Sequence, residues 1–230
     1  ENWGGPLVRF GFGRECDVRA EEVRPRGPEG LEFVLDCRGK RTDVTLPFFS
    51  EGFIQNFLAA VGVSLALGLH LEDIRPRFGL LKPFPQRGVL LRLPGGLTVI
   101  DDSYNSNPRA LESALRGAAR LPASRRVAVL GDMLELGPAG EEYHRAAGRL
   151  AAGLGFELLV AVGPLARHMA RGAAEGGLPA SRILSFEDAS RAAAELPAHL
   201  RPGDLVLVKG SRGVHLEKIV AVLDKGTKEA

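Results

Sequence analysis

Three short stretches of the chain gather residues that can bind or move charge. They are Asp101-Asp102-Ser103-Tyr104-Asn105-Ser106-Asn107-Pro108, Gly131-Asp132-Met133-Leu134-Glu135-Leu136-Gly137 and Lys209-Gly210-Ser211-Arg212-Gly213. In the first, Asn107-Pro108 makes a good helix start by itself, with Asn as N-cap and Pro at the first helical position. Capping leaves two acids, a tyrosine and a second asparagine unexplained, and a ligand-facing role for Asp102 and Tyr104 explains them. In the second, glycine lets the backbone approach a ligand, while Asp132 and Glu135 can hold an amine or accept a proton. His144 follows one helical stretch later, and for Glu135 and His144 a solvated loop and a packed helix face serve equally well. In the third, Lys209 and Arg212 stand among small residues ahead of a helix expected from Val214. Cations at a helix start oppose its dipole, so an anion site for phosphate or carboxylate, including Ser211, is the better explanation.

Each stretch follows an apolar run of strand type: Leu97 to Ile100, Val127 to Leu130 and Leu205 to Val208. Further strands are expected at Leu158 to Val162 and Ile183 to Ser185, with helices at Arg109 to Leu121, Gly140 to Gly153, Pro164 to Gly172, Phe186 to Ala194 and Val214 to Leu223. Strand alternating with helix implies a mostly parallel sheet covered on both faces, and Val127-Ala128-Val129-Leu130 is apolar enough for that burial. Ligands of such sheets collect outside the carboxyl ends of the strands. Val89 to Leu93 pairs with Leu97 to Ile100 as a hairpin about Pro94-Gly95-Gly96. Before Lys82-Pro83-Phe84-Pro85-Gln86-Arg87-Gly88 the pattern differs. Leu7 to Phe12, Leu31 to Cys37 and Thr42 to Leu46 read as a small antiparallel sheet, followed by helices from Phe53 to Leu67 and Leu71 to Phe78. The prolines and glycine of the 82–88 segment mark a boundary, giving domains 1–86 and 87–230.

Composition excludes several classes. In 230 residues, 30 basic against 28 acidic side chains leave +2, without a Lys/Arg block, so neither nucleic acid nor an anionic membrane is an expected partner. No secretory segment or membrane-length apolar run is present, and Cys16 and Cys37 are expected as reduced thiols in a cytoplasmic protein. A Walker A loop is missing, since the Gly39-Lys40 pair has Val34 where the first glycine belongs. The five histidines lack metal-ligand spacing, and no nucleophile-elbow serine occurs, so no catalytic or metal-ligating residue is assigned. The chain opens at Glu1 and is expected to be processed or part of something longer.

With DDSYNSNP, then VLGDMLELG with His144 downstream, then LVKGSRG, the chain resembles the C-terminal part of the Mur ligases, and the resemblance covers nearly its whole length. The first turn is like that of the branch joining D-alanyl-D-alanine to UDP-N-acetylmuramoyl-tripeptide in peptidoglycan precursor synthesis. The resemblance implies a Rossmann-like C-terminal domain preceded by a smaller α+β remnant of the central ATPase domain. It implies ATP as nucleotide, with Asp102 and Tyr104 at ribose and adenine, Asn107 supporting the turn, Arg87 reaching phosphate and Asn56 on the adenine side. Lys209, Ser211 and Arg212 would face the peptide substrate, together with Asp132 and Glu135. Magnesium ligands and the phosphate loop are expected upstream of the matched region, so residues 1–230 alone are expected to be inactive, and a monomer is expected. One departure is Ser50-Glu51-Gly52-Phe53, where the family reads Gly-Arg-His-Asn. The competing expectation is a noncatalytic nucleotide- or protein-binding module on the same fold.

Overall fold

The computed structural model describes residues 7–226, which form two compact units dividing between Lys82 and Pro83. In the first unit, β1 (Phe10–Gly11), β2 (Val18–Pro25), β3 (Leu31–Cys37) and β4 (Lys40–Leu46) form a sheet in that order, followed by α1 (Glu51–Ala66) and the single turn α2 (Leu71–Ile74). β3 and β4 alternate strictly enough that Leu31, Phe33, Leu35, Val44 and Leu46 all point to one core, where Ile54, Phe57, Leu58 and Val61 of α1 meet them.

Two expectations need correction here. The sheet is not wholly antiparallel, because β1 lies parallel to β2, with Phe10 opposite Val18. β2 itself was not anticipated. Its buried Val18 and Ala20 alternate with Arg19 and Glu21, which form an ion pair at 2.8 Å, so charge masks the strand period. The helix expected through Phe78 also stops early: Arg75-Pro76 turns the chain into a 3-10 segment, Arg75–Leu80, after α2.

The second unit contains β5 (Val89–Arg92), β6 (Thr98–Asp102), α3 (Pro108–Ala119), β7 (Arg125–Gly131), α4 (Gly140–Gly153), β8 (Leu158–Val162), α5 (Arg167–Glu175), β9 (Ile183–Phe186), α6 (Ala189–Glu195), β10 (Asp204–Lys209) and α7 (Glu217–Gly226). The sheet order is β5-β6-β10-β7-β8-β9, parallel except for the hairpin strand β5. The fold is therefore α/β with a mostly parallel sheet.

Alternate residues of the strands serve opposite faces. Val99, Val127, Val129, Val160, Val206 and Val208 share a core with Ala192 of α6, Ile219 of α7 and Leu216 just before α7. Ile100, Ala128, Leu130, Leu159 and Leu207 are equally buried and, by the same alternation, point to the other face. α3 packs on α4, and α4 on α5, as a separate set from the α6–α7 pair.

Glycine fixes how closely α4 and α5 approach. A Cβ on Gly148 would lie 1.9 Å from the Met169 carbonyl oxygen, and one on Gly172 would lie 1.9 Å from that of Arg145. The final helix begins later than the sequence suggests. Arg212–Val214 is a short 3-10 turn, His215 takes φ 60°, and α7 starts only at Glu217. The left-handed residue interrupts the helical path. Consequently Lys209 and Arg212 do not stand at the N-terminus of α7, and the dipole of that helix does not draw an anion to them.

Candidate functional site

The strand order places β10 between β6 and β7, so the three polar stretches emerge side by side at the carboxyl edge of one sheet. Lys209 and Asp102 are register partners at the ends of β10 and β6. The Lys209 ammonium donates to Asp102 Oδ2 at 2.6 Å and to the Asn105 carbonyl at 2.9 Å. Both side chains are buried, Lys209 with 3% of its surface exposed and Asp102 with 9%. Burial pushes the Asp102 carboxyl above the ordinary carboxylate range; the Lys209 ammonium pulls it back, Asp101 raises it further and Arg87 lowers it.

Asp101 acts within the turn itself. Its Oδ1 accepts from the backbone N–H of Ser103 at 3.2 Å and from the Ser103 hydroxyl at 2.6 Å, folding the turn back on the strand end. Asn107 closes the other end as N-cap of α3, its side chain accepting from the Ala110 N–H at 2.9 Å ahead of Pro108.

Between these anchors the Tyr104 ring stands out, 38% exposed. The Arg87 guanidinium lies over it at 4.1 Å from the centroid, and Arg212 reaches it at 5.6 Å. Sequence reasoning missed Gln86, which ties this group together. Its carbonyl accepts from the Tyr104 N–H at 3.1 Å, and its side-chain oxygen accepts from Arg212 at 2.8 Å. Gln86 sits at φ 62° beside Gly88 at φ 74°, a tight turn flanked by proline whose only legible signal was the Pro85-Gln86-Arg87-Gly88 punctuation.

The second stretch is fixed mainly by its own backbone partners. Asp132 is buried, accepts from the Ala166 N–H at 2.6 Å, and lies so near Gly163 that a Cβ there would be 2.6 Å from the carboxyl carbon. His144 is fully buried on α4: its Nδ1 donates to the Gly140 carbonyl at 2.6 Å and its Nε2 accepts from the Met133 N–H at 2.8 Å. That pair of partners requires the neutral ring with the proton on Nδ1. The packed-helix alternative for His144 therefore holds. Glu135 is exposed at φ 63°, at the crest of the loop.

Ser211 joins all three stretches. Its N–H donates to the Asp132 carbonyl at 2.9 Å, its hydroxyl accepts from the Leu134 N–H at 3.0 Å, and the same hydroxyl lies 3.4 Å from the Ser106 carbonyl. The neighbouring Ser106 hydroxyl is buried without a hydrogen-bond partner among the described residues.

Asp102, Tyr104, Asn107, Arg87, Asp132, Glu135, Lys209, Ser211 and Arg212 thus all belong to the second unit and to its carboxyl edge. Asn56 belongs to the first unit, exposed on α1. Chemically the edge offers an exposed aromatic ring flanked by two guanidinium groups, which suits stacking with a ring and pairing with an anion. Among the described residues no group of three or more His, Cys, Asp or Glu side chains is arranged to hold a metal ion.

Comparison with known proteins gives consistent findings. Residues 87–212 match the family model described as "Mur ligase, glutamate ligase domain". The chain is 27% identical over 212 residues to UDP-N-acetylmuramoyl-tripeptide–D-alanyl-D-alanine ligase of Bacillus subtilis, covering 92% of this chain and 46% of that protein. It is 30% identical over 198 residues to the Escherichia coli protein of the same name, covering 85% of this chain and 42% of that one. Among solved structures, a crystal structure of MurF from Acinetobacter baumannii superposes with a TM-score of 0.80 at 31% identity, over 95% of this chain and 47% of its own. MurF from Thermotoga maritima in complex with ADP shares the fold, with a TM-score of 0.79 at 22% identity over 96% of this chain and 49% of its own. The chain spans about half the length of the curated relatives it matches.

Proposed function

Because the chain belongs to the Mur ligase family, we propose that it supplies the nucleotide-clamping and amine-side part of an ATP-dependent ligase joining D-alanyl-D-alanine to UDP-N-acetylmuramoyl-tripeptide. In this reaction the tripeptide carboxylate takes the γ-phosphoryl group of ATP and ADP leaves. The D-alanyl-D-alanine amine then attacks the acyl phosphate carbon, and inorganic phosphate departs. Each step depends on positioning and charge neutralisation more than on covalent chemistry by the protein.

The observation that carries the reading is the convergence of the three polar stretches on one sheet edge, around the Tyr104 ring and its two arginines. Tyr104 and Asp102 would take the nucleoside of ATP, with Asn107 holding their turn and Arg87 directed to phosphate. Glu135, exposed on its loop, and Arg212 are the side chains offered to the peptide substrates, whereas Asp132 and Ser211 act by shaping the loop between them. Magnesium is part of the proposed reaction, but among the described residues no group of carboxylates is arranged to hold it. None of the described helices is long and apolar enough to cross a membrane.

The test is phosphate release by the full gene product that carries this chain. It should require ATP, UDP-N-acetylmuramoyl-tripeptide and D-alanyl-D-alanine together, with single amino acids failing to replace the dipeptide. Equal turnover with a free amino acid, or none with the dipeptide, would overturn the assignment.

A further inference from the structure

We infer that Lys209 is a positioning residue for the nucleotide turn, holding the Asp102 carboxylate and the Asn105 carbonyl in place, and that it does not itself bind an anionic substrate. The inference rests on the nucleotide reading of this edge and revises the role that the Lys209-to-Gly213 stretch suggests by composition. Lys209 is 3% exposed, and two of its three N–H donors are taken by Asp102 Oδ2 at 2.6 Å and the Asn105 carbonyl at 2.9 Å. An ammonium so placed has little surface to offer a ligand.

What it does offer is geometry. Asp102 ends β6, and Asn105 directly follows Tyr104, so one ammonium fixes both sides of the residue whose ring is exposed. Because β10 is the neighbour of β6 in the sheet, the anchor comes from a strand that Ser211 in turn ties to the Asp132 loop. The charge of Lys209 also matters for what Asp102 can present. A buried carboxylate without a countercharge takes up a proton, and a protonated acid no longer accepts two hydrogen bonds from a ribose. The groups facing Asp102 are Lys209 from β10, Asp101 from β6 itself and Arg87 from the segment before β5. Of these two cations Lys209 is the one that hydrogen-bonds to it, while Arg87 acts through its charge.

The test measures affinity for adenosine and for ADP in the 230-residue chain, as wild type, Lys209→Met and Asp102→Asn, from about pH 8 to about pH 5.5. Lys209→Met should weaken both ligands by the same factor, about tenfold near neutrality. The loss should grow as pH falls, because Asp102 without its partner is protonated on the acid side. Asp102→Asn should weaken both without that pH dependence. Lys209→Gln, which retains a donor for the Asn105 carbonyl, provides the same comparison if the methionine variant does not fold. Loss of ADP affinity with adenosine unchanged would mean that Lys209 contacts phosphate directly, and wild-type affinity in both lysine variants would mean that it positions nothing. Either overturns the inference while leaving the nucleotide edge intact. Wild-type affinity in Asp102→Asn would overturn the nucleotide reading itself.

Discussion

Replacing His144 by alanine should loosen the Asp132-to-Gly137 loop and lower the stability of the second unit without touching any ligand-facing side chain. The ring is fully buried and joins two backbone groups, the Gly140 carbonyl at 2.6 Å and the Met133 N–H at 2.8 Å. Each hydrogen bond contributes on the order of 1 kcal/mol, and a buried N–H left without a partner costs about 1 to 3 kcal/mol more. The cavity left by the ring adds to this, so the total should reach about 3 to 5 kcal/mol. For a unit of this size the shift in unfolding midpoint is then roughly 10 °C. Differential scanning calorimetry gives the midpoint, and amide hydrogen exchange gives the location, with the Met133 amide losing its protection first. His144→Phe fills the cavity but restores neither hydrogen bond, and should recover only part of the loss. An alanine variant that melts with wild type and keeps the Met133 amide protected would show that the histidine does not hold the loop.

Other expectations follow from charge and burial elsewhere. Asp204, 2% exposed, accepts two bonds from Arg125 at 2.6 and 2.9 Å and one from the Arg201 N–H at 2.8 Å; Asp204→Ala should cost about 3 to 5 kcal/mol in denaturant titrations, because the Arg125 guanidinium loses its countercharge and keeps just the neutral His199 carbonyl. Glu175 is held at a pKa of about 2, chiefly by the hydrogen bond from Arg145 and then by Arg149. Its folded pKa is depressed, so its contribution is present above about pH 4.5 and is lost as pH falls toward 2. The melting difference between wild type and Glu175→Gln should therefore shrink across that window, and a difference independent of pH would contradict the assignment. Burial, helped by Asp36, pushes the Cys37 thiol up to about 11, so a thiol reagent near pH 8 should label Cys16 in the native protein and Cys37 only after unfolding.

The parallel sheet was legible because its strands are continuous apolar runs bounded by glycine and polar turns. Leu158–Val162 and Gly140–Gly153 coincide with the observed elements residue for residue. β2 was hidden by charge pairing within the strand, and the delayed start of α7 by His215, whose left-handed backbone has no signature in a histidine. Candidate site residues were legible as polar clusters at strand ends. Their partners were not: nothing in the spacing of Asp102 and Lys209, 107 positions apart, announces an ion pair, because only the sheet order puts β10 beside β6. Gln86 likewise gains its role from a turn geometry that only the folded chain displays.

The central claim is that three stretches distant in sequence form one nucleotide-facing edge. Mapping the amide shifts of the 230-residue chain during titration with ADP tests it most directly. The account predicts saturable shifts at residues 102–107, together with Gln86, Arg87 and residues 209–212, and none at the opposite edge around Arg125 and Arg201. Saturable shifts centred on that opposite edge, or no shifts at millimolar ADP, would contradict it.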